Sequence, residues 1–458
     1  MNPTKCLYGL VLILAVMCAT SSISWAEWKE GVLYSFQGGS DGATPAGGVV
    51  FDTAGNLYGA TTNGGSSSCH SIAQCGTVFQ LVPPAKQGDP WTETVLYVFK
   101  GNASNDGASP AGGVVMDSAG NLYGTTAYGG TGDCVLLGSK LGCGTVYELL
   151  PPKQKGGAWT ETVLYSFPTA KQGYLPNGDL VFDRAGNLYG ATEFGGGHGT
   201  TCNSLYQYCG AVFELSPPKT KGGKWTEKVL HGFRGGTDGA SPNGGLLLDN
   251  KGSIYGTTLN GGGSSNCNTT YSTGCGTEFK LTAPTTKVGS WTEVVLHRFK
   301  DKDDGASPNG GLIFDEPNSA LYGTAGGGGA GTVGVVFRMA PVTGGGWVEK
   351  ALHSFTATKG GRNPWGPVTV DSSENLYGTA HAAAGDKFGG LVFALRPATK
   401  GTWSFAVLYN FAGAPDGAYP VSKLIFDMWG RLYSTTEAGG TGQACQGGCG
   451  TVFRVSPK

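Results

Sequence analysis

Asp117-Ser118-Ala119-Gly120-Asn121-Leu122-Tyr123-Gly124-Thr125-Thr126 reads as a turn that runs into a strand. Asp at the first turn position accepts hydrogen bonds from the turn's own backbone. Gly at the fourth supplies positive φ without a Cβ clash. Val114-Val115-Met116 precede the turn and Leu122-Tyr123-Gly124 follow it, so the segment is a β-hairpin. Close copies of its core recur along the chain. They are Gly55-Asn56-Leu57-Tyr58-Gly59, Gly186-Asn187-Leu188-Tyr189-Gly190, Ser253-Ile254-Tyr255-Gly256, Ala320-Leu321-Tyr322-Gly323, Asn375-Leu376-Tyr377-Gly378 and Arg431-Leu432-Tyr433-Ser434, which makes seven copies in all.

Each repeat holds four runs of strand length. Strand A follows an Asp-Gly-Ala-Ser-Pro lead, as in Gly112-Gly113-Val114-Val115-Met116-Asp117. Strand B is the Leu-Tyr run. Strand C is Gly144-Thr145-Val146-Tyr147-Glu148-Leu149-Leu150, closed by Pro151-Pro152. Strand D is Trp91-Thr92-Glu93-Thr94-Val95-Leu96-Tyr97-Val98-Phe99 and its copies, which begin at Trp28, Trp159, Trp225, Trp291, Trp347 and Trp403. Most runs are rich in β-branched and aromatic residues. No long 3.6-residue period follows the first residues, so helix should be scarce. Four short strands at a fixed period predict propeller blades, with a repeat stretched beyond the usual roughly 40–50 residues by two loops.

The ends set the register. The first strand is a D run, Trp28 to Phe36, and the last, Gly450 to Val455, is a C run. The expected fold is therefore all-β: a seven-bladed β-propeller of four-stranded blades, in which the N-terminal strand closes the last blade one-plus-three and covers an open edge. Antiparallel order puts the B–C loops and D-to-A crossings on one face. The A–B turns and Pro-Pro connections lie on the other.

The chain has 31 Lys+Arg against 32 Asp+Glu. Near-neutrality gives no electrostatic case for nucleic acid or an anionic membrane. Gly at 82 and Pro at 23 fall at fixed places between apolar runs, so they are turn chemistry rather than disorder. Residues 1–26 read as a signal peptide. Lys5 is basic, Leu7 to Met17 form a short apolar run, and Ser24-Trp25-Ala26 resembles a cleavage site. The run is shorter than the roughly 20 residues of a spanning helix. The expectation is a single propeller domain over 27–458, secreted or periplasmic, without an anchor, not inserted in a membrane, and monomeric.

Twelve Cys are present, and Cys6 and Cys18 leave with the signal. The rest form local pairs in B–C loops: Cys69 with Cys75, Cys134 with Cys143, Cys202 with Cys209, Cys267 with Cys275, and Cys445 with Cys449. The fifth and sixth repeats lack both members of the pair. Joint presence and absence points to disulfides, the expected state after export. Zinc lacks a Cys-x-x-Cys spacing and consistent His ligands here.

The combination of Asp106-Gly107-Ala108-Ser109-Pro110-Ala111-Gly112-Gly113-Val114, the Asp117–Thr126 stretch, Cys143-Gly144-Thr145-Val146-Tyr147 and Trp159-Thr160-Glu161-Thr162-Val163-Leu164-Tyr165 resembles the GloVer-type tandem repeat of secreted bacterial proteins. The resemblance covers nearly the whole mature chain. It implies an exported repeat protein and no settled activity. The Asp-x-x-Gly-Asn-Leu-Tyr core is also similar, over a short span, to blades of gluconolactonase-like and streptogramin-lyase-like propellers and to sensor propellers of bacterial regulators.

Asp41, Asp106, Asp238, Asp304 and Asp416 lead into the innermost strand and are expected near the mouth of the channel. There they are either turn-formers or ligands of a cation such as Ca²⁺; no other cofactor is expected. His231, His297 and His353 replace the D-strand Tyr34, Tyr97, Tyr165 and Tyr409, one per blade, so they do not converge. His70, His198 and His381 fall in B–C loops and read as solvated. Departures from the repeat mark a candidate ligand site: Tyr174 in the third copy, Arg362 and Trp365 in the sixth, Tyr419 in the last. Aromatics with Arg suit sugar rings or a protein partner. No nucleophile–base pairing, phosphate loop or dinucleotide fingerprint appears. The reading is a secreted, non-enzymatic scaffold for an extracellular carbohydrate or protein, bound through the loop-rich face. The alternative is an exported hydrolase or lyase with a divalent-cation site at the channel mouth.

Overall fold

In six of the seven hairpins the opening Asp saturates its own turn. Asp52 accepts the amides of Ala54 and Asn56 on Oδ1, both at 2.9 Å. Its Oδ2 accepts Asn56 Nδ2 at 2.7 Å and the Tyr58 hydroxyl at 3.0 Å. The set repeats at Asp117, Asp183 and Asp371. At Asp249 and Asp427 it survives with Ser253 and Arg431 in the Asn position. Amides that a tight turn would leave unpaired are thus satisfied, and each Tyr is tied to its turn.

These hairpins build a ring of seven four-stranded antiparallel sheets. A computed structural model describes residues 27–458 except 46, 66–68, 70–74, 87, 137, 155, 197–208, 221, 268–273, 287–288, 316–319, 359, 384 and 386–388. The expected signal peptide, Cys202, His70 and His198 lie outside the described residues. The first blade runs from the axis outward as Val50–Phe51, Leu57–Thr61, Thr77–Val82 and Thr92–Val98. The seventh comprises Ile425–Phe426, Leu432–Thr436 and Thr451–Pro457, and its outer strand is the N-terminal Trp28–Ser35. Register runs from Trp28 opposite Pro457 to Ser35 opposite Thr451. The fold is therefore the seven-bladed propeller with one-plus-three closure that the split repeat predicts.

The repeated residues are those that touch the next blade. The Phe ending each D strand meets the C-strand ring of the following blade edge-to-face. These seven pairs run from Phe36–Phe79 to Phe411–Phe453, with centroids 4.9–5.3 Å apart. Such pairs add about 0.5–1.5 kcal/mol each beyond their buried area. D-strand Trp rings lie 6.0–6.4 Å from the Tyr of the preceding blade at Trp159, Trp291, Trp347, Trp403 and Trp28.

A second contact lies nearer the axis. Thr44, Ser109, Leu175, Ser241, Ser307, Asn363 and Tyr419 all hold φ between 52 and 60°, immediately before the A-segment Pro. Six of their amides donate to the preceding blade: to Cys449, Cys75, Cys209, Cys275, Val333 and Gly389 carbonyls, at 2.6–3.0 Å. The Gly after each of those carbonyls faces the Pro. A Cβ on Gly76 would lie 2.4 Å from Pro110 Cδ, and across all seven junctions the distance is 2.3–2.6 Å.

Cys69–Cys75, Cys134–Cys143, Cys267–Cys275 and Cys445–Cys449 are disulfides, and Cys209 is also disulfide-bonded. They anchor the loops whose ends form the inter-blade bond just described.

Gly76→Ala is expected to cost about 3 kcal/mol or more, because φ is +78° and the new methyl meets Pro110 and the Thr61 carbonyl. Gly55→Ala, at φ +84° in open space, should cost only about 1 kcal/mol. Chemical denaturation of both variants decides the matter. Equal losses would show that backbone strain alone operates and that the blade contact contributes nothing.

Candidate functional site at the channel mouth

The seven A strands enclose a central cavity of about 540 Å³. Its wall is mostly backbone and small side chains, from Gly47-Gly48, Gly112-Gly113, Gly244-Gly245 and Gly311. Three blades break that ring, with Asp179, Pro367 and Ser422-Lys423. Asp179 is spoken for, since its Oδ1 accepts the Gly113 amide at 2.7 Å.

At the loop-rich end, aromatic side chains gather on blades six and seven. Trp365 lies 4.3 Å from the His381 ring, and His381 stacks on Tyr419 at 4.5 Å and 11°. The three are half-buried, and Trp365 lines the cavity. Room for the indole comes from the fifth blade, where a Cβ on Gly326 would sit 2.5 Å from Trp365 Nε1. Asn363 holds the same contact, donating from Nδ2 to the Gly326 carbonyl at 2.9 Å. Burial, and then the Arg362 charge, push His381 down to about 4, so it is a neutral imidazole at physiological pH. Glu437 continues the rim. Its amide donates to the Tyr419 carbonyl at 3.1 Å, and burial pushes its carboxyl up to about 7.

Of the four candidate ligand residues, Trp365 and Tyr419 share one stack and Arg362 lies within electrostatic reach of its His381. Tyr174 stands apart. It belongs to the inner strand of the third blade, Tyr174–Phe182, and is buried against Phe194 at 6.3 Å. Near it, Glu193 occupies the place of Glu437 and is likewise pushed up to about 7 by burial, against a hydrogen bond from Asn177. Asn177 Nδ2 in turn donates to Asn243 Oδ1 at 2.5 Å.

His381, Glu193 and Glu437 escape motif reading. The signal that finds them is a column in the repeat. The residue after each Leu/Ile-Tyr-Gly/Ser-x-Thr/Ala is Thr62, Ala127, Glu193, Leu259, Gly326, His381 and Glu437. His381, read from sequence as a solvated loop residue, is instead sandwiched between two rings.

The aspartate set does not converge. Each carboxylate faces the outer strand of the blade before it, where it caps the crossing loop. Asp41 accepts the Tyr34 hydroxyl at 2.7 Å, Asp106 that of Tyr97 at 2.8 Å, and Asp416 that of Tyr409 at 2.9 Å. Asp304 meets His297 at 3.0 Å, and Asp238 meets His231 at 3.5 Å. The expectation of five carboxylates at the channel mouth is corrected by these partners. Among the described residues no group of three or more His, Cys, Asp or Glu could hold a metal ion.

Each of these loops also faces a D-strand Glu of the following blade. Burial, with the aspartate charge next, pushes Glu93 (beside Asp41), Glu161 (Asp106) and Glu293 (Asp238) up to about 7. Glu349 (Asp304) and Glu30 (Asp416) rise to about 8. At the fifth-to-sixth junction Gly360 and Phe405 replace both carboxyls, and His353 stacks on Phe405 at 4.0 Å.

The Gloeobacter/Verrucomicrobia repeat profile matches residues 22–201, 134–344 and 197–443. The chain belongs to this family. No curated protein matches it. An ulvan lyase, a polysaccharide lyase, superposes with a TM-score of 0.52 at 11% identity, covering 93% of this chain and 95% of its own. PorZ, a surface component of the type IX secretion system of Porphyromonas gingivalis, gives 0.49 at 14%, covering 92% of this chain. The chain spans only 47% of PorZ. A putative glucose dehydrogenase from Thermus thermophilus gives 0.36 at 14%, covering 76% of this chain and 96% of its own. At these identities the likeness is one of fold. The disulfides of this family member fit an extracellular or periplasmic protein. Among the described residues no helix is long and apolar enough to cross a membrane.

The D-strand glutamates carry pKa values above the ordinary 4.5, so their contribution is fully present below about 4.5 and is lost as pH rises toward 7–8. The melting temperature is expected to fall by about 5 °C or more between pH 5 and pH 8, and Glu93→Gln should make the decline shallower. A melting temperature that holds or rises over that interval would mean these carboxyls ionise freely in the folded ring.

Proposed function

We propose that this family member is an exported binding propeller. Its ligand, an extracellular glycan, seats at the loop-rich channel mouth on the Trp365–His381–Tyr419 stack. The stack carries the proposal: three half-buried rings pack against one another across two blades, beside Arg362 and a rim of Asn177, Asn243 and Asn309. Apolar ring faces with amides and one cation match the alternating C–H and hydroxyl faces of a sugar. The rings are packed before binding, so little side-chain entropy is lost. A glycan array should identify the ligand. Trp365→Ala should then weaken it by about thirtyfold, while Asn121→Ala on the opposite face leaves affinity unchanged. If folded Trp365→Ala and Arg362→Ala bind as wild type, the site is elsewhere.

A second reading rests on Glu193 and Glu437. Two carboxyls at equivalent places on blades three and seven, both near 7, suit proton transfer at neutral pH. In that reading the bound glycan is depolymerised. Glu437→Gln or Glu193→Gln would abolish reducing-end release and leave binding within a few-fold. A chain that binds the glycan and releases no product on prolonged incubation is a binding protein alone.

A further inference from the structure

Six of the seven C strands carry Val at one place: Val78, Val146, Val212, Val336, Val392 and Val452. Each is fully buried against the following blade. The fourth blade has Glu278 there. Its side chain is 0% exposed, and neither carboxyl oxygen has a hydrogen-bond partner. The fold does not demand this residue, because six blades close the same contact with Val.

Strand pairing sets Glu278 between Thr257 and His297. The Thr257 hydroxyl is also buried without a partner. Across the junction stand Leu321 and Phe337 of the apolar cluster that the Val supplies elsewhere. Among the described residues three titratable groups bear on Glu278, directly or through one another. Glu349, from the outer strand of the fifth blade, adds like charge to the burial that already holds Glu278 well above the carboxylate range. His297 lies beside it and meets Asp304 at 3.0 Å. Asp304, on the crossing loop, adds like charge to Glu349.

A neutral carboxylic acid can stay in this cluster. A carboxylate is strongly disfavoured there, because among the described residues no side chain donates to either oxygen. Its charge can be solvated only if water enters, and water enters only if blades four and five part. We propose that Glu278 makes the fourth-to-fifth junction a pH-operated latch, shut while its carboxyl keeps the proton and opened when rising pH draws that proton into solution.

Hydrogen exchange on the full chain between pH 6 and pH 9 tests this, read as protection factors so that intrinsic base catalysis cancels. In the wild type, protection over Thr277–Thr282 and Val335–Pro341 is expected to fall by up to about tenfold per pH unit, the slope for one released proton. The first-to-second junction, with Val78 facing Glu161 and Asp106, is the internal control and should change less. Glu278→Val, the residue of the other blades, and Glu278→Gln should bring the fourth-to-fifth junction to the control slope. The latch is refuted if wild-type protection falls equally at all junctions. It is also refuted if either folded variant keeps the wild-type slope.

Discussion

Every blade approaches its neighbour through a Gly that meets a Pro. The Gly heading each C strand leaves no space for a methyl, and the Pro leading the next A strand fills that space. The residue before the Pro adopts a left-handed conformation, which carries its amide onto the carbonyl preceding the Gly at six of the seven junctions. Left-handed non-Gly backbone is often a mark of function. Here it occurs at the same place in all seven blades, so it is geometry of the ring. The seventh instance, Gly450 against Pro45, joins residues at opposite ends of the chain and repeats the contact where the outer strand Trp28–Ser35 closes the circle.

Because these contacts recur, the residues that make them are legible as a repeat. The Asp turn, the Leu-Tyr strand, the Trp and the terminal Phe each serve one turn or one junction, and the strand order follows from them. Local Cys pairing was legible for the same reason. The candidate site was legible only where a departure replaced a small residue by a large one, as at Trp365 and Tyr419. His381 and Glu437 were hidden because their column has no consensus to depart from. Tyr174 looked like their companion because sequence departure does not report blade number. Its ring is buried in the third blade.

The aspartates were misplaced for a different physical reason. A carboxylate before Gly at the start of a loop binds whatever donors lie behind it. Tyr34, Tyr97 and Tyr409 lie behind it in the outer strand. Sequence order places Asp next to the inner strand, but the crossing loop runs from rim to axis, and its Asp sits at the rim end.

The departures are not scattered. Blades five and six lack the cysteines and have short B–C loops, residues 326–334 and 381–389. They also lack the Thr pair that links strands B and C at 2.8 Å in blades one, two, four and seven, with Ala325–Val335 and Ala380–Leu391 in its place. Their mutual junction has lost the carboxyl pair to Gly360 and Phe405. The aromatic stack begins over Gly326, in this same sector. The other five blades carry the stapled loops, and the short loops belong to the fifth and sixth. Shortened loops, apolar strand pairs and the half-buried stack thus fall in one sector of an otherwise uniform ring.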